Sequence, residues 1–252
     1  MSGLICSSIW TNYNFCGRHA LALEVTKMGL HVTNLQKAKF LERSNSLRRK
    51  IEAWISVQQL HIPSTAPLRF RDDAAAAKPV AVQDIKLFLP SFLPRSIDCP
   101  ILFLRYEWDF HYAQAEETLN ELRGVLILQS HMLKSKNRYV RGQRQMTRSA
   151  KLLDNVQQKV HEAVARYRRI RTALETLSPL LLNADWGNTL RVLDDADVKG
   201  LTSMDNSASE GRKRLSWIWK VHGTSANADE CTQAGRFLQF YLSVTCLNPN
   251  IK

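Results

Sequence analysis

Residues 152–177 read LLDNVQQKVHEAVARYRRIRTALETL, and this stretch decides the fold. Leu152, Val156, Val160, Ala163, Tyr167, Ile170, Leu174 and Leu177 follow one another at intervals of 4, 4, 3, 4, 3, 4 and 3. An apolar side chain every ~3.5 residues paints one continuous stripe along an α-helix, and a stripe this regular is a coiled-coil-like seam. A seam needs a second helix to cover it. Residues 104–135 supply the candidate, with Trp108, Ala115, Leu119, Leu122, Leu126 and Leu133 near one face. Gly124 inside that helix costs about 1 kcal/mol relative to alanine.

The simplest packing is an antiparallel hairpin over 104–178, turning near Asn137–Gly142 and closed by Ser178-Pro179. At about 1.5 Å per residue its arms are roughly 50 Å long. The charges agree with that register. Glu116, Glu117 and Glu121 lie on the first arm, and Lys159, Arg166 and Arg168 lie on the second. Exposed pairs of this kind add little stability but help fix register.

Outward from the hairpin, residues 34–62 read as an amphipathic helix. Leu47, Ile51, Trp54 and Gln58 share a face, and Pro63 ends the helix because proline disfavours helix in the residue before it. Residues 63–103 hold Pro63, Pro67, Pro79, Pro90, Pro94 and Pro100 together with four consecutive alanines at 74–77. They read as a connector with at most one short helix, near AVQDIKLFL, docked through Leu87, Phe88 and Leu89. Residues 1–33 carry no clear period. Residues 179–252 read as short helices, a loop and a tail, with RKRLSWIW a short helix and FLQFYLSV an apolar run. The tryptophans at 54, 108, 186, 217 and 219 are expected to anchor the core. The predicted fold is therefore all-α and elongated, a long helical hairpin packed with a further N-terminal helix and short C-terminal helices.

The net charge is +12 over 252 residues, with a pI near 9.7. A basic excess of this size favours a polyanion, nucleic acid before an anionic membrane surface. It is concentrated in LKSKNRYVRGQRQMTRSAKLL, residues 133–153, which holds Lys134, Lys136, Arg138, Arg141, Arg144, Arg148 and Lys151. No acid occurs between Glu121 and Asp154. If the returning helix begins near Arg141, then Arg141, Arg144, Arg148 and Lys151 form one line at the tip of the hairpin. An arginine fork suits phosphate because it donates two bonds at once. Asn137, Gln143, Gln145 and Thr147 add neutral donors, and Tyr139 offers a stacking ring. The bland alternative is a solvated hairpin end whose charge only maintains solubility. Base reading has no support, since phosphate contacts carry no sequence information.

Other chemistry is thin. The 5 cysteines include no CxxC pair, and Cys6, Cys16, His19 and His31 have no common zinc-finger spacing. Asp194, Asp195 and Asp197 read as a turn or helix N-cap rather than a metal-dependent phosphoryl-transfer site. Asp72 and Asp73 read the same way. There is no GxSxG, HExxH or Gly-rich phosphate loop. No charged n-region precedes the first apolar residues, and no run approaches the ~20 apolar residues of a membrane span. These readings point to an intracellular chain, nuclear rather than cytoplasmic, that is not an enzyme. It takes no cofactor, no metal and no small-molecule substrate, and has no membrane partner. Nucleic acid is the leading partner and a second copy of the chain is the alternative.

Three blocks carry a family resemblance. They are QKAKFLERSNSLRRKIEAWISVQQLHIP at 36–63, the stretch from RYEWDFHYAQ through KSKNRYVRGQRQMTRSAKLL to RRIRTAL at 105–174, and EGRKRLSWIW at 210–219. Their order and spacing over residues 34–222 resemble the C-terminal helical region of fungal Kyakuja-Dileera-Zisupton (KDZ) transposases. That family has a KxKxRxVRGQRxxTR-like signature and an SWIW after an EGR. The resemblance implies a transposable-element origin. Family enzymes use an RNase-H-like core with dispersed acids and divalent metal, and carry cysteine-rich parts toward the N-terminus. This chain has no strand core before residue 34 and no cysteine clusters, and SWIW runs into a short tail instead of a long charged helix. The resemblance is therefore to a fragment or degenerate copy, and no catalytic residue carries over. Such a chain could also be the non-functional product of a decayed element.

Overall fold

The computed structural model describes residues 17–26, 28, 32–75, 80–200 and 216–220. Six helices lie among them: α1 over residues 17–26, α2 Asn34–His61, α3 Ala66–Ala75, α4 Ile101–Tyr139, α5 Gln143–Leu181 and α6 Trp186–Thr189. Short 3-10 turns fill the gaps, and no strand occurs among the described residues. The class is all-α, and the two long helices pack against each other as a hairpin. The chain divides into two compact units, Met1–His111 with Ala173–Asn183, and Tyr112–Thr172 with Ala184–Lys252.

In the first unit α2 is set by a reciprocal cap. Thr33 Oγ1 accepts from the Gln36 amide at 3.3 Å, and Gln36 Oε1 accepts from the Thr33 amide at 2.9 Å. The face read from the sequence is the one buried, with Leu47, Ile51, Trp54 and Gln58 in the core. It packs with Leu21 of α1 and with Val82, Leu87 and Leu89. The Trp54 indole donates to the Leu87 carbonyl at 3.1 Å, which satisfies its N–H inside the core.

The connector departs from expectation. Residues Pro63–Thr65 form a 3-10 turn that leads directly into α3. Pro63 and Pro67 stand in the opening turns, where a missing N–H loses no helical bond, so they start structure rather than break it. The AVQDIKLFL stretch is helical only over Val82–Asp84. Leu87 and Leu89 are buried as predicted, whereas Phe88 is half-buried with φ +48°. Arg69 of α3 holds this stretch. Its guanidinium donates to the carbonyls of Lys86 and Leu87 and to Gln58 Oε1, and stacks 5.0 Å from the Phe88 ring centroid.

In the second unit the seam meets α4 in antiparallel register. Gln129 bonds Gln157 and Glu121 pairs with Arg166, and the residue numbers of each pair add to nearly the same total. Leu119, Leu122, Leu126, Val160, Ala163, Tyr167 and Ile170 are buried. The helices are longer than the periodicity indicates. α4 runs to Tyr139 and α5 starts at Gln143, while Pro179 is accommodated inside α5, which ends at Leu181. Gly142 has φ +82° and makes the reversal, a conformation that a Cβ disfavours. Leu133, expected on the stripe, is 45% exposed.

Residues 190–193 and 217–218 cover the hairpin in the second unit. Leu190, Leu193, Trp217 and Ile218 are buried, and Trp217 lies 6.1 Å from Tyr167. Residues Trp217–Trp219 form one 3-10 turn, while the preceding RKRL and the FLQFYLSV run lie outside the described residues. Of the five expected tryptophan anchors, Trp54, Trp108 and Trp217 are buried, and Trp186 and Trp219 are half-exposed.

Candidate nucleic-acid interface

The candidate surface is what the core leaves out. Ser130 is the last buried side chain of α4 and Val156 the first of α5. From residue 131 to residue 155 no side chain is buried. All seven basic residues singled out in the sequence, Lys134, Lys136, Arg138, Arg141, Arg144, Arg148 and Lys151, fall inside this overhang. Six are exposed and Lys136 is half-buried. No ion pair among the described residues involves any of them.

The seven do not form one line. Lys134 and Arg138 are four residues apart and stack on one side of α4. Lys136 points to another side at about 100° per residue. Arg141 belongs to neither helix. Its guanidinium turns back onto the carbonyls of Asn137 and Val140 at 3.4 and 3.3 Å, where it covers the end of α4. The expected four-residue line on α5 therefore loses Arg141, because the Gly142 reversal delays the helix to Gln143. Arg144, Arg148 and Lys151 remain on one exposed face. Lys159 extends it two turns further, past the exposed Asn155, giving a strip about 22 Å long at the helical rise. The charge pattern alone sets Lys159 against the opposing acids. Its helical spacing from Lys151 is the signal that places it on the strip.

Helix dipoles treat the two ends differently. Lys136 and Arg138 sit in the last turn of α4, where a cation is favoured. Arg144 sits in the first turn of α5, which carries no acid and where a cation is disfavoured. Positive charge at that end lacks internal compensation, which favours an external anion. Tyr139 is 72% exposed beside it, and the Thr147 hydroxyl donates to the Gln143 carbonyl at 3.0 Å.

Arg123, Arg166, Arg168 and Arg171 are committed to the protein itself. Arg166 pairs with Glu121 as the charge pattern indicates. Arg168 instead bonds the Leu193 carbonyl and the Asp195 carboxylate, and Arg171 bonds the Leu190 carbonyl and covers the Trp186 ring. Glu116, Glu117 and Lys159 take part in no ion pair among the described residues, so only one of the expected cross-arm pairs forms. Arg123 donates to the Ile218 carbonyl at 2.6 Å, and burial lowers its pKa.

The acids have structural duties. Asp194 precedes a 3-10 turn over Asp195–Asp197, and Asp197 accepts from Ser216 at 3.3 Å. Asp72 and Asp73 lie inside the second half of α3 rather than in a turn or N-cap as expected, and Asp72 pairs with Lys86 at 2.9 Å. A Ser–Glu–His grouping invisible in the sequence appears in the first unit. Ser91 donates through Oγ at 2.5 Å and through its amide at 2.9 Å to Glu107, which lies 3.4 Å from His111 Nε2. The serine faces the carboxylate and not the imidazole, so the bonds clamp the Pro90–Phe92 turn to α4 rather than activate a nucleophile. Among the described residues no group of three or more His, Cys, Asp or Glu side chains is placed to hold a metal. Of the zinc set, Cys6, Cys16 and His31 lie outside the described residues. No helix among the described residues is long and apolar enough to cross a membrane.

No protein-family model, no curated protein and no solved structure matches this chain.

Proposed function

We propose that this chain is a non-catalytic, KDZ-transposase-like piece that contacts nucleic-acid phosphates through the hairpin overhang. The reading rests on one observation above the others. The segment from residue 131 to residue 155 buries nothing, yet carries seven basic side chains without an ion pair among the described residues. Charge held away from the core and left uncompensated suits a polyanion. Arg144, Arg148, Lys151 and Lys159 carry the contact along α5, and Lys134 and Arg138 carry it along α4. Arg141 has the lesser part because it caps α4. The nucleus is the compartment where such a contact would act.

Replacing Arg144, Arg148 and Lys151 together by glutamine tests the role. Every phosphate that the protein no longer neutralises flattens the dependence of log K on log salt by about 0.9 on duplex DNA, so three flatten it by about 2.7. An unchanged affinity and slope would sink the reading.

The competing reading is self-association. The seam from Val156 to Leu177 does not argue for it, because those side chains are buried within this chain. What favours it is a set of exposed apolar residues in the first unit, led by Leu60 at 77%, Phe70 at 78% and Leu182 at 90%. Sedimentation equilibrium over a wide concentration range separates the two, and a strictly monomeric chain removes this one.

A further inference from the structure

Thr147 stands in the middle of the basic overhang. Arg144 is three residues before it, Arg141 six before, Arg148 directly after and Lys151 four after. Its side chain is exposed, and its hydroxyl is bonded to a carbonyl of its own helix, that of Gln143. Every residue from 141 to 148 is exposed.

We propose that Thr147 is a phosphorylation site for a Ser/Thr kinase that reads arginine three residues before the acceptor, and that the phosphate turns off the polyanion contact of the overhang. The second half rests on the polyanion reading. The first does not.

Access comes from the fold. A kinase groove takes its acceptor in extended form, so the helix must open locally. Opening costs little where the segment buries nothing, and α5 buries no side chain before Val156. Two other exposed hydroxyls share the arginine spacing and serve as internal controls. Ser46 follows Arg43 and adjoins buried Leu47, and Thr172 follows Arg169 and adjoins buried Ala173 and Leu174. Both sit in turns held by the core, so neither opens cheaply. Ser135 and Ser149, the other hydroxyls of the overhang near Thr147, have Met132 and Met146 at the arginine position.

The transfer balances with ATP as co-reactant. Thr147 Oγ1 attacks the γ-phosphorus and forms the new O–P bond. The bond from that phosphorus to the β–γ bridging oxygen breaks and ADP leaves. The hydroxyl proton passes to the base of the kinase.

The consequence is electrostatic. A phosphothreonine carries about −1.5 to −2 at pH 7. It stands with Arg144 and Lys151 one turn away on either side. The phosphate is therefore held by the residues that otherwise meet an external phosphate, and it competes with that partner from within the chain.

The test uses the full chain, ATP and cyclic-AMP-dependent protein kinase, with site-resolved mass spectrometry. Phosphate is expected at Thr147 and not at Ser46 or Thr172, with incorporation abolished in Thr147→Val and slowed at least tenfold in Arg144→Gln. No phosphate at Thr147, equal labelling of Ser46, or indifference to Arg144→Gln overturns the site. Duplex DNA anisotropy then compares modified and unmodified chains. A loss of affinity of tenfold or more with a salt slope shallower by about 2 supports the switch. Unchanged binding by a fully modified chain overturns the switch alone. An unmodified chain that fails to bind at low salt overturns the polyanion reading and the switch with it, while the labelling result still decides the site.

Discussion

Glu121 and Arg166, 45 residues apart in sequence, meet at 2.5 Å across the hairpin. Their side chains are 45% and 37% exposed. The pair marks the register of the two arms and also a boundary, since no acid follows Glu121 until Asp154. The seam is buried from Val156 to Leu177. Beyond Ser130 and before Val156 the arms outrun the core and the basic charge is left to solvent. Water screens a pair this exposed, so Glu121→Gln is expected to lower stability by no more than about 1 kcal/mol in urea unfolding. A loss of several kcal/mol would mean that the pair holds the hairpin together.

The overhang is expected to be the least protected helical part of the chain. Amides from residue 131 to residue 155 should exchange with solvent far faster than those of the buried stretches 115–126 and 156–177, and adding duplex DNA should slow them selectively. Hydrogen exchange read by mass spectrometry gives both results. Uniform protection along α4 and α5 would contradict the boundary at Ser130 and Val156.

Arg69 ties together three acceptors of the first unit. Arg69→Met leaves Gln58 Oε1 and the carbonyls of Lys86 and Leu87 without their donor, and removes the cation above Phe88. A loss of about 3 kcal/mol is expected from urea titration, since an unsatisfied buried acceptor costs ~1–3 kcal/mol. A variant as stable as the parent would show that water replaces the guanidinium.

Trp217 is the corresponding anchor of the second unit. It packs on Tyr167, while Arg123 holds the neighbouring carbonyl of Ile218 and Trp219 donates to the Lys199 carbonyl at 2.9 Å. Trp217→Ala is expected to cost about 3 to 5 kcal/mol and to expose the Trp217–Trp219 turn to protease. Limited proteolysis followed by mass spectrometry reports the second effect.

Cys99 should be slow to alkylate at pH 8. Burial, reinforced by Glu107 and Asp98, pushes its thiol up to about 11. A thiol raised in the folded state binds its proton more tightly there than in the unfolded chain. Its contribution to stability is therefore present below about pH 9 and lost as pH rises toward 11. Site-resolved iodoacetamide labelling from pH 7 to 11 checks this, and rapid modification at pH 8 would contradict it.

The parts of the fold that bury apolar residues at a fixed period were legible in the sequence. Leu47, Ile51, Trp54 and Gln58 line the face predicted for α2, and the buried seam from Val156 to Leu177 follows the predicted spacing. Periodicity does not register helix that buries nothing, so the ends of α4 and α5 beyond Ser130 and before Val156 lay outside its reach. α3 was hidden because Pro63 and Pro67 look like breakers until their place in an opening turn is known. The basic residues themselves were plain. Their arrangement was not, because it depends on one backbone angle, the positive φ of Gly142 that removes Arg141 from the α5 face. The Arg69 clamp and the Ser91–Glu107 clamp join residues 17 and 16 apart through turns that have no sequence period.

The most direct test of the overhang as a phosphate-binding surface is fluorescence anisotropy of the full chain with a labelled DNA duplex at two salt concentrations. Binding at low salt that weakens steeply at the higher concentration is the predicted result, with a slope corresponding to about three or more phosphate contacts. Absence of binding at low salt, or binding indifferent to salt, would contradict it and leave the seven basic residues as a solvated helix end.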